Sequence, residues 1–233
     1  KHISKVKDGQ LARICKGTII SLILSDVTND SFAIIASGPT SPDYSTFFDC
    51  KEIFLKYGLL QKIPVSIKAH IAKGLLGKIQ ETPKATDAIF SKVHNVIVGN
   101  NRIALSASRK KASDLGYHTA LLSSSIKGEA QEVAKVFGAI AREIHVSGSP
   151  INRPACIIAG GEMTVTVKGN GLGGSCQEFA LSTAQEIDGL ENTVILSAGT
   201  DGTDGTTNAA GAIVDNFTIM RAKKEQLSPE IYL

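Results

Sequence analysis

Runs of β-branched and aliphatic residues alternate along this chain with stretches of helical period. Apolar segments at 18–24, 32–36, 93–98, 118–122, 155–159, 164–168 and 194–196 read as strands, and helical spacing fits 46–57, 64–72, 102–115, 129–145 and 177–187. Strands separated by helix-length segments predict an α/β fold built mainly on parallel sheet. The 129–145 segment sets Val133, Val136, Phe137, Ile140 and Ile144 on one stripe, which predicts a helix packed on that sheet. A Gly/Ser/Pro/Asn-rich stretch at 146–154 is the natural linker. Residues 1–150 are therefore expected to form an incomplete parallel-sheet domain, and 151–233 a smaller α/β unit with a polar, helix-like end at 221–233.

Composition narrows the classes. With 42% hydrophobic and 20% charged residues the chain has the make-up of a globular domain. A net charge of +3, one compact basic cluster (Arg109, Lys110, Lys111) and 5% aromatic residues argue against a nucleic-acid partner. Cys15, Cys50, Cys156 and Cys176 are too scattered for a zinc site or disulfide framework and read as free thiols of a reducing compartment. The longest apolar run, 18–24, is far short of the roughly 20 residues of a membrane helix. A soluble, cytoplasmic chain is the expectation, or a mitochondrial one if a targeting segment lies upstream.

Chemistry-bearing residues cluster after the predicted strands. Strand 18–24 runs into Ser25 and the carboxylates Asp26 and Asp30. In open α/β sheets ligands gather at carboxyl ends of strands, so this pair suits Mg²⁺ or activation of a hydroxyl, or else it merely caps and turns the chain. Ser37 and Gly38, in S-G-P-T, read as a turn or a loop meeting ligand through its backbone, because no G-x-S-x-G elbow surrounds the serine. Gly160 and Gly161 predict a hairpin turn between strands 155–159 and 164–168, with Glu162 on its rim.

Next comes Lys168-Gly169-Asn170-Gly171-Leu172-Gly173-Gly174-Ser175-Cys176-Gln177-Glu178. A glycine loop opening a helix can turn its N–H groups toward a phosphate. Gly169, Gly171 and Gly174 also satisfy G-x-G-x-x-G, which keeps a dinucleotide-binding oxidoreductase open as an alternative. A second glycine-rich loop, 197–208, offers Thr200, Asp201, Gly202 and Asp204, at spacings unlike an EF-hand. Two such loops in one small unit favour a ligand crevice.

In order, the motifs S-D-V-x-x-D, I-A-S-G-P-T, A-G-G-E-x-T-V, the glycine loop ending Q-E, and G-T-D-G-x-D-G resemble the class II glycerate kinases, whose C-terminal part is the MOFRL domain. The resemblance spans nearly the whole chain. It implies transfer of the ATP γ-phosphate to D-glycerate, commonly giving 2-phosphoglycerate, with Mg²⁺, in a protein longer than this chain at both ends; a homodimer is compatible with it. It assigns Asp26 and Asp30 to the reacting glycerate or the metal, Asp26 being the metal candidate. Ser37, Gly38, Gly160, Gly161, Glu162, Gly169, Gly171, Gly173, Gly174, Gln177, Glu178, Thr200, Asp201, Gly202 and Asp204 would line the nucleotide or substrate site. Where the family reads G-G-R-N-Q-E, this chain carries Ser175 and Cys176 in place of arginine and asparagine, and Asn208 replaces a usual acidic residue. A lysine expected in catalysis falls upstream of the matched region. These departures leave a non-catalytic or regulatory paralogue or isoform as the second reading.

Overall fold

A computed structural model describes residues 1–233. The chain divides into two compact units, Lys1–Asn100 and Asn101–Leu233. The linker-like stretch 146–154 lies inside the second unit, because the strand before it pairs with the strand after it.

In the first unit β1 (Ile19–Ser25) and β2 (Val93–Asn100) form a parallel ladder with Leu22 opposite Val96. The intervening chain carries α2 (Phe47–Lys56) and α3 (Val65–Leu75), and α1 (Gln10–Ile14) precedes β1. Thr46 opens α2 with a capping box, exchanging hydrogen bonds with Asp49. Phe47 is buried, edge-on to the rings of His2 and His70. Beside it lies a polar hub. Buried Asp43 accepts hydrogen bonds from Ser45 N and Oγ and from Thr82 Oγ1, and Lys1 Nζ sits 2.9 Å from buried Asp8. Burial pushes the Asp43 carboxyl up, but those hydrogen bonds together outweigh it and hold the group below its usual value.

The segment expected as a strand at 32–36 is not one. It forms a 3₁₀ turn in which Ala36, Ser37 and Gly38 are all left-handed, at φ 50, 62 and 62°. Apolar content there reflects burial of Ile35, while the Ser-Gly-Pro sequence dictates the turn. Thr40, just beyond, donates to Asn95 Oδ1 at 2.7 Å and accepts from Ser21, pinning this loop to one face of the ladder.

In the second unit β3 (His118–Glu129) and β4 (Ala155–Thr164) pair in parallel, and α4 (Asn101–Asp114) packs on them through Leu105, Ala112 and Ile158. The predicted hairpin is therefore absent: Gly160 and Gly161 lie inside one continuous strand. The separate strand expected at 164–168 is absent too, since β4 ends at Thr164 and 165–168 is not strand. Thr164 and Thr166 instead bond to the Glu129 carboxylate, Thr166 N at 3.1 Å and Thr166 Oγ1 at 2.9 Å.

Helix α5 (Ala130–Ser147) turns its small residues inward. Ala130, Ala134 and Gly138 are buried, whereas Val136, expected on the apolar stripe, is exposed. Phe137 meets Phe179 of α6 (Ser175–Glu186) edge-on. A last core joins Ala180, Ala184 and Ile187 to Val214 and Ile219, on the antiparallel pair β5 (Val194–Ala198) and β6 (Gly211–Asp215) and on α7 (Thr218–Lys224).

Asp215 closes β6 and receives hydrogen bonds from Arg221, Thr218 and Phe217 N. The Arg221 guanidinium foremost lowers its pKa from 3.8 to about 2. A depressed folded value means that this contribution is present above the ordinary value and is lost as pH falls through about 2. An NMR titration should find Asp215 there, and Arg221→Ala should move it back up.

Candidate functional site

Each unit presents its own group of candidate residues. In the first, Asp26 leaves the carboxyl end of β1 exposed to solvent, and Asp30 adopts a left-handed conformation at φ 52°. Asn100 Nδ2, at the end of β2, donates to Asp30 Oδ2 at 2.6 Å. Asp30 is thus held while Asp26 projects. Asn100 was absent from the sequence candidates; the polar Gly-Asn-Asn ending of an apolar strand was its signal. Ser37 and Gly38 contribute carbonyl groups, which accept from Asp8 N and Gly9 N at 3.0 and 2.8 Å.

The second unit brings its two glycine-rich loops together. Asp204, only 4% exposed, accepts from Cys176 N at 3.0 Å and from Gln177 N and Nε2 at 2.8 and 3.0 Å. It caps α6 from a loop 27 residues further on. Gln177 Nε2 also donates to Thr207 Oγ1 at 2.9 Å, adding Thr207 to the clasp. Gly205 is left-handed at φ 58°, and a Cβ there would collide with the Gly173 carbonyl; a Cβ on Gly174 would strike Asp204. Glycine is what lets the loops meet.

Two amides of the α6 first turn are consequently taken by Asp204. The open part of the glycine loop is 168–173, which is exposed and where a Cβ on Gly169, Gly171 or Gly173 would meet nothing within 4 Å. Thr200, Asp201 and Gly202 form an exposed turn, in which Asp201 accepts from Thr203 N. Glu162 is exposed on β4 opposite Lys127. Burial raises the pKa of Glu178, Gln131 opposes this by hydrogen bonding, and neighbouring Glu129 adds to the rise. Burial likewise raises the Cys176 thiol, which disfavours the thiolate there.

Because β4 ends at Thr164, ten residues before α6, the strand-turn-helix context of a dinucleotide fingerprint is missing. No three His, Cys, Asp or Glu residues converge as a metal cage. No helix is long and apolar enough to cross a membrane.

Residues 155–233 match the MOFRL family, and residues 1–72 match a domain of unknown function, DUF4147. Glycerate 2-kinase of Pyrococcus horikoshii is 42% identical over 99% of the chain, which covers 52% of that protein. Glycerate kinase of Macaca fascicularis is 31% identical over the whole chain, which covers 68% of it. The chain belongs to the glycerate kinase family. Its fold agrees with the crystal structure of Thermotoga maritima glycerate kinase at a TM-score of 0.87 and 38% identity, covering 100% of this chain and 53% of that one. This family member spans about half the length of the archaeal and bacterial relatives it matches. The α/β fold with parallel pairing agrees with that membership.

Proposed function

We propose that the chain carries part of the site of an ATP-dependent glycerate kinase that phosphorylates the 2-hydroxyl of D-glycerate. The observation that carries this is agreement along the entire chain with proteins named glycerate 2-kinase and D-glycerate 2-kinase, at 42% and 39% identity. Phosphoryl transfer requires chiefly positioning and charge stabilisation. Asp26, exposed at the end of β1, fits as a single carboxylate ligand for the Mg²⁺ of Mg·ATP, which characteristically takes one or two protein carboxylates beside phosphates and water. The metal would neutralise charge on the transferring group. Asp30, held by Asn100, would accept a hydrogen bond from the attacking hydroxyl. In the second unit, taken by itself, the open segment 168–173 offers backbone N–H groups to a phosphate, with Asp204 and Gln177 keeping the loop in place. Gly160, Gly161, Glu162, Thr200, Asp201 and Gly202 remain proposed contributors.

Ser175 puts no cation where the family motif has arginine. This favours, as second reading, a relative that binds ligand without turnover. ADP release from ATP and D-glycerate separates the two. Turnover by the chain that Asp26→Asn lowers roughly 100-fold, and that Ser175→Arg with Cys176→Asn raises at least about tenfold, supports the kinase. ATP binding without turnover in every variant selects the second reading, and no ATP binding sinks both.

A further inference from the structure

The stem that enters the glycine loop is fastened by a side chain from another element of the second unit. At the end of β4 and just beyond it, Met163 and Val165 pack on the core of Ala130, Ala134 and Phe179, while Thr164 and Thr166 turn to Glu129. Glu129 Oε1 accepts from Thr164 Oγ1 at 3.2 Å and from Thr166 Oγ1 at 2.9 Å, and Oε2 accepts from Thr166 N at 3.1 Å. Glu129 stands at the N-cap of α5, where a polar side chain ordinarily serves its own helix, yet it makes no capping bond there. Its carboxylate is given instead to a segment 37 residues further on.

Two residues past Thr166 comes Lys168. It is the single lysine or arginine between Arg153 and Arg221, a stretch that includes both glycine-rich loops, so no other side-chain cation of that stretch can meet an anion. Lys168 is exposed and enters no ion pair. Burial raises the Glu178 carboxyl and Lys168 acts against that rise, which puts the ammonium within electrostatic reach of the first turn of α6. There Ser175 supplies no charge, and Asp204 already occupies the Cys176 and Gln177 amides.

The loop is thus fastened by a carboxylate at each end, Glu129 upstream and Asp204 downstream, with one unpaired ammonium on the stem between them. A lysine meets phosphate as a point charge and complements the amides of a glycine loop. We propose that Lys168 binds the ligand's phosphate at the glycine loop and that Glu129 is the positioning residue that holds it there. Without the clasp the stem loosens, and the cost of ordering Lys168 on a ligand rises. The inference rests on the phosphate role proposed for 168–173, and the choice of ATP as ligand rests on the kinase reading.

Calorimetric titration of the chain with ATP tests both parts. Lys168→Gln should raise Kd at least about tenfold and Lys168→Arg should stay within about threefold of the parent. Lys135→Gln, which removes the same charge from an exposed position on α5, should leave Kd unchanged. Glu129→Ala should raise Kd about tenfold in the parent but less than about twofold on top of Lys168→Gln, because a positioning residue then has nothing to position. Thr166→Val, which removes one of the three bonds at nearly constant volume, should show the same non-additivity at about threefold, and guards against misfolding of the alanine variant. Hydrogen exchange at the Thr166 amide should quicken in Glu129→Ala. Unchanged affinity in Lys168→Gln overturns the assignment of the cation. Equal losses from Glu129→Ala with and without Lys168, or unchanged exchange at Thr166, overturn the positioning role and leave Glu129 a structural clasp. No ATP binding by the parent chain overturns both, and the kinase reading with them. Affinity that falls with Lys168→Gln in a chain releasing no ADP keeps this inference while sinking the kinase reading; ADP release with Lys168→Gln at full affinity does the reverse.

Discussion

Asp204→Ala should cost the second unit about 2–4 kcal/mol. The carboxylate receives three hydrogen bonds from Cys176 and Gln177, two of them backbone amides that have no intrahelical partner at the start of a helix. Its removal strands those amides in a part-buried setting, where each unmet donor costs roughly 1–3 kcal/mol and entering water returns a share. It also takes a negative charge from the positive end of the α6 dipole. Asp204→Asn should fall between, because one oxygen still accepts while the new NH₂ faces a donor. Urea denaturation measures both losses. Hydrogen exchange should quicken at the Cys176 and Gln177 amides in the alanine variant; unchanged exchange there would mean that Asp204 is not the cap.

A comparably severe effect is expected of Gly161→Ala. Here the neighbour is backbone: a Cβ on Gly161 would collide with the amide nitrogen, carbon and oxygen of Ile126 on β3. No rotamer relieves such a clash, so the β3–β4 ladder must separate locally, at an expected cost of about 3 kcal/mol or more. Gly160→Ala is the internal comparison, since its Cβ would press on the Asn101 side chain, which can swing aside after giving up its bond to Ser124 O. About 1 kcal/mol is expected there. Soluble yield and chemical denaturation of the pair give the contrast, and equal losses would refute the backbone argument.

That same glycine pair explains where sequence reasoning stopped. Gly-Gly between alternating segments is a turn signal, and nothing local reveals that a neighbouring strand presses on the position from 35 residues away. The expected strand at 32–36 failed for a related reason, since apolar side chains report burial and say nothing of the left-handed backbone that Ala36 and Ser37 adopt. β6 went unseen because Gly211-Ala212 opens it weakly and its existence depends on pairing with β5. In contrast β1, β2, α2, α4 and α6 were legible, each long and periodic enough to carry its own signal. The grouping of the loops was legible too, through the tendency of ligand loops to follow strands. What the sequence held back was the partner of each residue: Asp30 with Asn100, and Asp204 with the start of α6.

The inward stripe of α5 bears on how the second unit can drift through mutation. Ala130, Ala134 and Gly138 interpose almost no side-chain volume against their neighbours, and a Cβ on Gly138 would strike Glu186 of α6. At Gly138 the two helices leave no room for a larger residue, and the Phe137–Phe179 pair fills the space beside it. Sequence change along α5 is thereby channelled outward, to positions such as Val136, where a new side chain meets only water.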